Sequence, residues 1–156
     1  MNWSALEAIA TAVAAVATIA GFSLTIWQIR AGARQARTKW EDDLTREYRQ
    51  IVRRLPHRVR LGEQAQDEEI EKLLPAFLDY FDLSNQQALL RKTCRVSGDT
   101  WKEWREGIRE SLKSGAFGKA WSIVQQRSPG LFAELKQLED GKFEADPPDW
   151  KPLPRW

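Results

Sequence analysis

The chain has 156 residues and a formal net charge of +2, which suits one modest domain and singles out no partner class by charge alone. Its single cysteine, Cys94, excludes an internal disulfide, and one cysteine with one histidine excludes metal centres built from clusters of the two. Eight tryptophans in so short a chain promise aromatic packing or docking.

The first predicted element is an uncharged run from Ala8 to Ile29, bounded by Glu7 and Arg30. At about 1.5 Å per helical residue it reaches about 33 Å, enough to cross a hydrocarbon core. Trp3 and Trp27 stand near its ends, where amphipathic rings favour a membrane interface. Arg30, Arg34, Arg37 and Lys39 follow directly and would meet anionic lipid headgroups, at about 1 kcal/mol per cation. By the positive-inside bias the N-terminus lies outside and the rest in the cytoplasm of a bacterial inner membrane. Ala31-Gly32-Ala33 has the small residues of a cleavage site, but the run before it is long for a signal peptide and no basic region precedes it. Residues 1–29 therefore read as a single transmembrane helix.

One face of that predicted span is small or polar. Glu7, Thr11, Ala14, Thr18, Gly21, Thr25 and Gln28 follow one another at alternating steps of three and four, so they share a stripe. Small residues let helices approach closely and hydroxyls can bond across the seam, so the first reading is self-association into a homo-oligomer. The second is a pore, with Thr11, Thr18 and Thr25 along a polar path and Glu7 as a ring of carboxylates at its mouth.

Past the span, Trp40, Leu44, Tyr48, Ile51 and Leu55 recur at steps of three and four, predicting a basic stalk helix over 30–61 that ends near Pro56. A helical cytoplasmic domain follows over 62–141. Asp67 can cap a helix from Glu68 to Phe81, with Pro75 as a kink. Ser84 with Gln87, and Thr100 with Glu103, read as capping boxes that open two further helices. Phe117, Trp121 and Val124 mark another, and Ser128-Pro129 reads as the start of a last helix closed by Gly141. No stretch sustains period-two alternation, so the fold class is all-α: a transmembrane helix, a stalk, a bundle of four to five short helices and an extended tail.

The tail over 142–156 carries Pro147, Pro148, Pro152 and Pro154, with Trp150 and Trp156 spaced along it. Those rings suit either a strap against the chain's own domain or a motif for an unidentified protein partner.

Little in the chain points to chemistry. His57 lies in the basic run Arg53-Arg54-Leu55-Pro56-His57-Arg58, and Gly115-Ala116-Phe117-Gly118-Lys119 lacks the spacing of a phosphate loop. Cys94, beside Arg91, Lys92 and Arg95, could carry a lowered thiol pKa, which leaves a membrane-tethered enzyme as a third reading. No catalytic residue, cofactor or metal is expected. Nucleic acid is not the expected partner, because the tryptophans fall on apolar helix faces rather than among the arginines.

With Leu78-Asp79-Tyr80-Phe81 followed by Trp101-Lys102-Glu103-Trp104, the layout resembles small bacterial membrane proteins with one N-terminal span and a compact helical cytoplasmic domain. That resemblance implies an all-α membrane protein, and for some chains of this design an effector role in stress or phage defence. It transfers no site. The expected function is a non-enzymatic single-pass inner-membrane protein that self-associates through its stripe and presents a cytoplasmic partner-binding module.

Overall fold

A computed structural model describes residues 27–33, 35–36 and 38–150. The chain divides into two compact units, Met1–Lys39 and Trp40–Trp156. In the first unit every described residue is helical, and Gln28, Arg30 and Lys39 are exposed.

The described residues of the second unit form helices joined by turns and irregular segments, with no strand among them. Helix α1 covers 40–53 and α2 His57–Arg60; α3 spans Asp67–Lys92, α4 Gly98–Lys113, α5 Gly115–Arg127 and α6 Ala133–Asp140. A short 3₁₀ turn, Pro147–Asp149, follows.

Helix α3 is the centre of the unit, packed by α4, α5, α6 and the 3₁₀ turn. Its buried residues Ile70, Phe77, Tyr80, Phe81, Ser84, Gln87 and Ala88 recur at helical spacing. Phe117 of α5 meets Phe77 edge-on at 5.1 Å and Tyr80 at 4.9 Å, while Trp121 meets Phe81 at 5.0 Å. Such tilted pairs add about 0.5–1.5 kcal/mol each beyond their buried area. The expected break before Ser84 is absent, and α3 runs through it. The Ser84 hydroxyl donates to the Tyr80 carbonyl one turn back at 2.9 Å, so it is satisfied inside the helix and caps nothing.

The other helix starts differ from expectation for similar reasons. Helix α4 opens at Gly98 with Ser97 as its cap, the Ser97 hydroxyl accepting from Thr100 N–H at 3.2 Å. The second half of that cap comes from α1: the Glu41 carboxylate accepts from Ser97 N–H and from the Thr100 hydroxyl, each at 3.0 Å. Helix α6 starts at Ala133 rather than at Pro129, after a turn in which Phe132 holds a φ of 61° and packs its ring against Phe81 and Trp121. Helix α1 is tied down by Leu44 and Ile51, and the turn after it by Leu55; Trp40 and Tyr48, expected on the same buried face, remain exposed.

The start of the tail is strapped to α3. Arg91 donates through Nε to Asp146 at 2.8 Å and through its other nitrogens to Asp146 and the Val96 carbonyl. Pro147 is buried, and Lys92 Nζ lies 5.8 Å from the centre of the Trp150 ring.

The membrane reading is corrected. Among the described residues no helix is long and apolar enough to cross a membrane. The longest of them, α3, carries Asp67, Glu68, Glu69, Glu71, Lys72, Asp79, Asp82, Arg91 and Lys92, and burying those charges in hydrocarbon is prohibitive. This stands against the single-pass inner-membrane protein, against self-association or a pore through a transmembrane stripe, and against inner-membrane localisation. The stripe residues Glu7, Thr11, Ala14, Thr18, Gly21 and Thr25 themselves lie outside the described residues.

Candidate functional site

Three helices of the second unit meet without filling the space between them. The cleft measures about 320 Å³ and is lined by Thr45 and Tyr48 of α1, Tyr80 and Gln87 of α3, and Glu103, Trp104, Gly107 and Ile108 of α4. Each residue reaches it for a local reason. Leu44 and Ile51 pin α1 against α3, which turns Tyr48 to the rim, 43% exposed, with its ring 6.4 Å from that of Tyr80. The cap shared by Glu41, Ser97 and Thr100 fixes the N-terminal end of α4 beside α1. Trp101 and Ile108 bury the inner face of α4, and Trp104, between them in sequence, is half-buried at the cleft.

Polar groups in the cleft are few and distinct. Burial pushes the Tyr80 hydroxyl up to about 12, with the neighbouring Ser111 hydroxyl pulling the other way, so the phenol stays neutral at ordinary pH. The Thr45 hydroxyl donates back to the Glu41 carbonyl at 2.8 Å. Gln87 is only 6% exposed, and its side-chain amide has no hydrogen-bond partner among the described residues. Its polar atoms are not fully shut off from the cleft, so water or a ligand can meet them there. Glu103 is the one charged residue in the lining, and its carboxylate enters no ion pair among the described residues.

Gly107 forms part of the same wall from within α4. A methyl group built there meets nothing within 4 Å, so open space faces it. Glycine inside a helix costs about 0.5–1 kcal/mol relative to alanine, and packing does not require it at this position.

A second depression, on Glu47, Gln50, Ile51, Arg54, Asp79 and Asp82, is mostly polar, and Arg54 already donates to Asp79 at 2.6 Å. It offers no apolar wall on which to seat a ligand.

The residues expected from sequence to carry function are elsewhere. Arg34, Arg37 and Trp156 lie outside the described residues, while Gln28, Arg30 and Lys39 are exposed on helix in the first unit. Trp150 is half-buried against the core beside Lys92. Cys94 is exposed in the turn that ends α3, where its φ of 58° lies in the left-handed region, and His57 is exposed on α2. Among the described residues no group of three or more His, Cys, Asp or Glu could hold a metal ion.

Sequence reasoning assigned the cleft residues other work: Tyr48 and Trp104 to buried faces, Gln87 and Glu103 to capping boxes. Two signals pointed to the cleft nonetheless. Gln87 falls on the buried period of a mostly apolar helix face, and Gly107 interrupts a strongly amphipathic helix. Compared with protein-family models, curated proteins and solved structures, the chain matches none of them.

Proposed function

We propose that residues 40–150 act as a non-enzymatic partner-binding module whose recognition site is the cleft between α1, α3 and α4. The observation that carries this reading is Gln87: a side chain on a buried helix face whose amide has no hydrogen-bond partner among the described residues, in a cleft walled by Tyr48, Tyr80 and Trp104. A mainly apolar cavity with a few convergent polar groups is the usual form of a binding site. His57 and Cys94 do not line it, which supports binding over nucleophilic chemistry. No basic residue lines it either, which supports a protein rather than a nucleic-acid partner.

The test is a titration of the full-length protein, followed by amide-resolved NMR, with blocked tripeptides whose central residue is acidic, basic, apolar or aromatic. At least one class should shift the Gln87 side-chain amide and the Trp104 indole N–H, and Gly107→Leu should remove the effect by filling the cleft. If no class moves those signals, or if Gly107→Leu changes nothing, the module reading fails.

A further inference from the structure

We infer that the cleft receives a guanidinium group: the side chain of an arginine carried on another protein chain. This rests on the cleft being the binding site, and it adds the chemistry of the occupant.

Charge is the first argument. Among the described residues Glu103 is the only ionised group in the lining, and it enters no ion pair. Lys102 and Arg105 line an adjoining depression that shares Glu103 and Gly107 with the cleft, but they do not line the cleft itself. A carboxylate on a cleft whose lining holds no cation favours a positive ligand and disfavours an anionic one.

The aromatic walls are the second. Tyr48, Tyr80 and Trp104 present three rings to one small space, and cations are held over such rings by about 0.5–2 kcal/mol. Guanidinium suits them better than ammonium, because it is planar, stacks on rings and is less strongly hydrated. It also brings five N–H donors, and the Gln87 amide oxygen can accept one of them, so the unmatched polar group of the cleft becomes satisfied.

Size and the missing side chain at Gly107 complete the fit. About 320 Å³ lies at the small end of ligand sites, suited to one long side chain rather than a helix. With no atom within 4 Å of the methyl position at Gly107, the wall stays open along the path that such a side chain would take. A free arginine would also bring an α-ammonium and an α-carboxylate that the lining has no further charged group to pair, whereas an arginine within a peptide brings neither, which favours a protein chain as the source.

The experiment uses the full-length protein and blocked glycyl-arginyl-glycine, with the citrulline tripeptide as the neutral isostere and free arginine as the small-molecule source. The arginine peptide should shift the Trp104 indole and Gln87 amide signals. Binding should weaken about ten-fold with citrulline and with Glu103→Gln, the loss expected for one charge pair. Glu103 is exposed, so that variant leaves the core intact. Free arginine should bind about ten-fold more weakly than the peptide.

Equal binding of the citrulline peptide at the same residues would overturn the cation assignment while leaving the cleft as a binding site. Equal binding of free arginine would overturn the protein source. Arginine-peptide binding that survives Gly107→Leu would place the contact on the general surface and overturn the inference. If the arginine peptide moves neither signal while another class of tripeptide does, the inference fails and the module reading stands.

Discussion

Replacing Glu41 with alanine tests the joint that holds the cleft in shape. Its carboxylate accepts from the Ser97 N–H and the Thr100 hydroxyl, each at 3.0 Å, and so fastens α1 to the first turn of α4. Hydrogen bonds to an ionised partner contribute about 1.5–3 kcal/mol each, and a negative charge at a helix N-terminus adds about 0.5 kcal/mol. Glu41, Ser97 and Thr100 are half-buried, so water replaces part of what is lost and the total falls below the lower-end sum of about 3.5 kcal/mol. Glu41→Ala should therefore destabilise the unit by about 2–3 kcal/mol, a melting point lower by about 10–15 °C for a domain of this size. Glu41→Gln keeps one acceptor oxygen and loses the charge, so its cost should be nearer 1 kcal/mol. Thermal unfolding followed by circular dichroism ranks the three proteins. Because α1 supplies Thr45 and Tyr48 to the cleft, the alanine variant should also bind the arginine peptide less tightly than the parent at a temperature where both are folded. A melting point within about 2 °C of the parent would refute the idea that this cap joins the two helices.

The remaining predictions concern single positions. A methyl group at Gly118 would fall 2.6 Å from the Leu112 carbonyl oxygen, so Gly118→Ala should cost about 1–3 kcal/mol in denaturant unfolding; an unchanged midpoint would contradict the close approach of α5 to the end of α4. Gly107→Ala meets open space inside a helix and should stabilise by about 0.5–1 kcal/mol, and a loss of stability would mean the cleft is narrower than described. Tyr80 has its folded pKa raised from 10.0 to about 12, so the unfolded chain ionises first as pH rises. Stability should be unaffected by this group below pH 10 and fall by about 1.4 kcal/mol per pH unit between 10 and 12. Tyr80→Phe should remove that part of the decline, and parallel pH profiles for the two proteins would refute the burial of the hydroxyl.

Much of the second unit was legible because helical periodicity is a local property. Leu44 and Ile51 on α1, Trp101 and Ile108 on α4, and Phe117, Trp121 and Val124 on α5 recur at the expected spacing, and all are buried. Punctuation was less legible. Ser84 has the sequence of a cap, yet inside α3 its hydroxyl finds the Tyr80 carbonyl and the helix continues. Ser128-Pro129 has the sequence of a helix start, yet α6 waits for Phe132, whose ring is held by Phe81 and Trp121. In both places a short polar side chain has two outlets of similar energy, and contacts with other helices select one.

The uncharged run from Ala8 to Ile29 dominated the reading of function because hydropathy is additive along a chain and visible without a fold. The described helices instead distribute apolar residues on one face and charges on the other, so each buries a stripe against its neighbours. Composition and periodicity determined an all-helical class, the exclusion of an internal disulfide and an aromatic core, since these follow from residue type and spacing alone. Only tertiary packing decided that Glu41 caps a helix far along the chain, that Tyr48 faces a cleft rather than the core, and that Gln87 lines that cleft with no hydrogen-bond partner among the described residues. Those features depend on which helix faces come together, and that is settled by burial summed over the whole unit rather than by any short run of sequence.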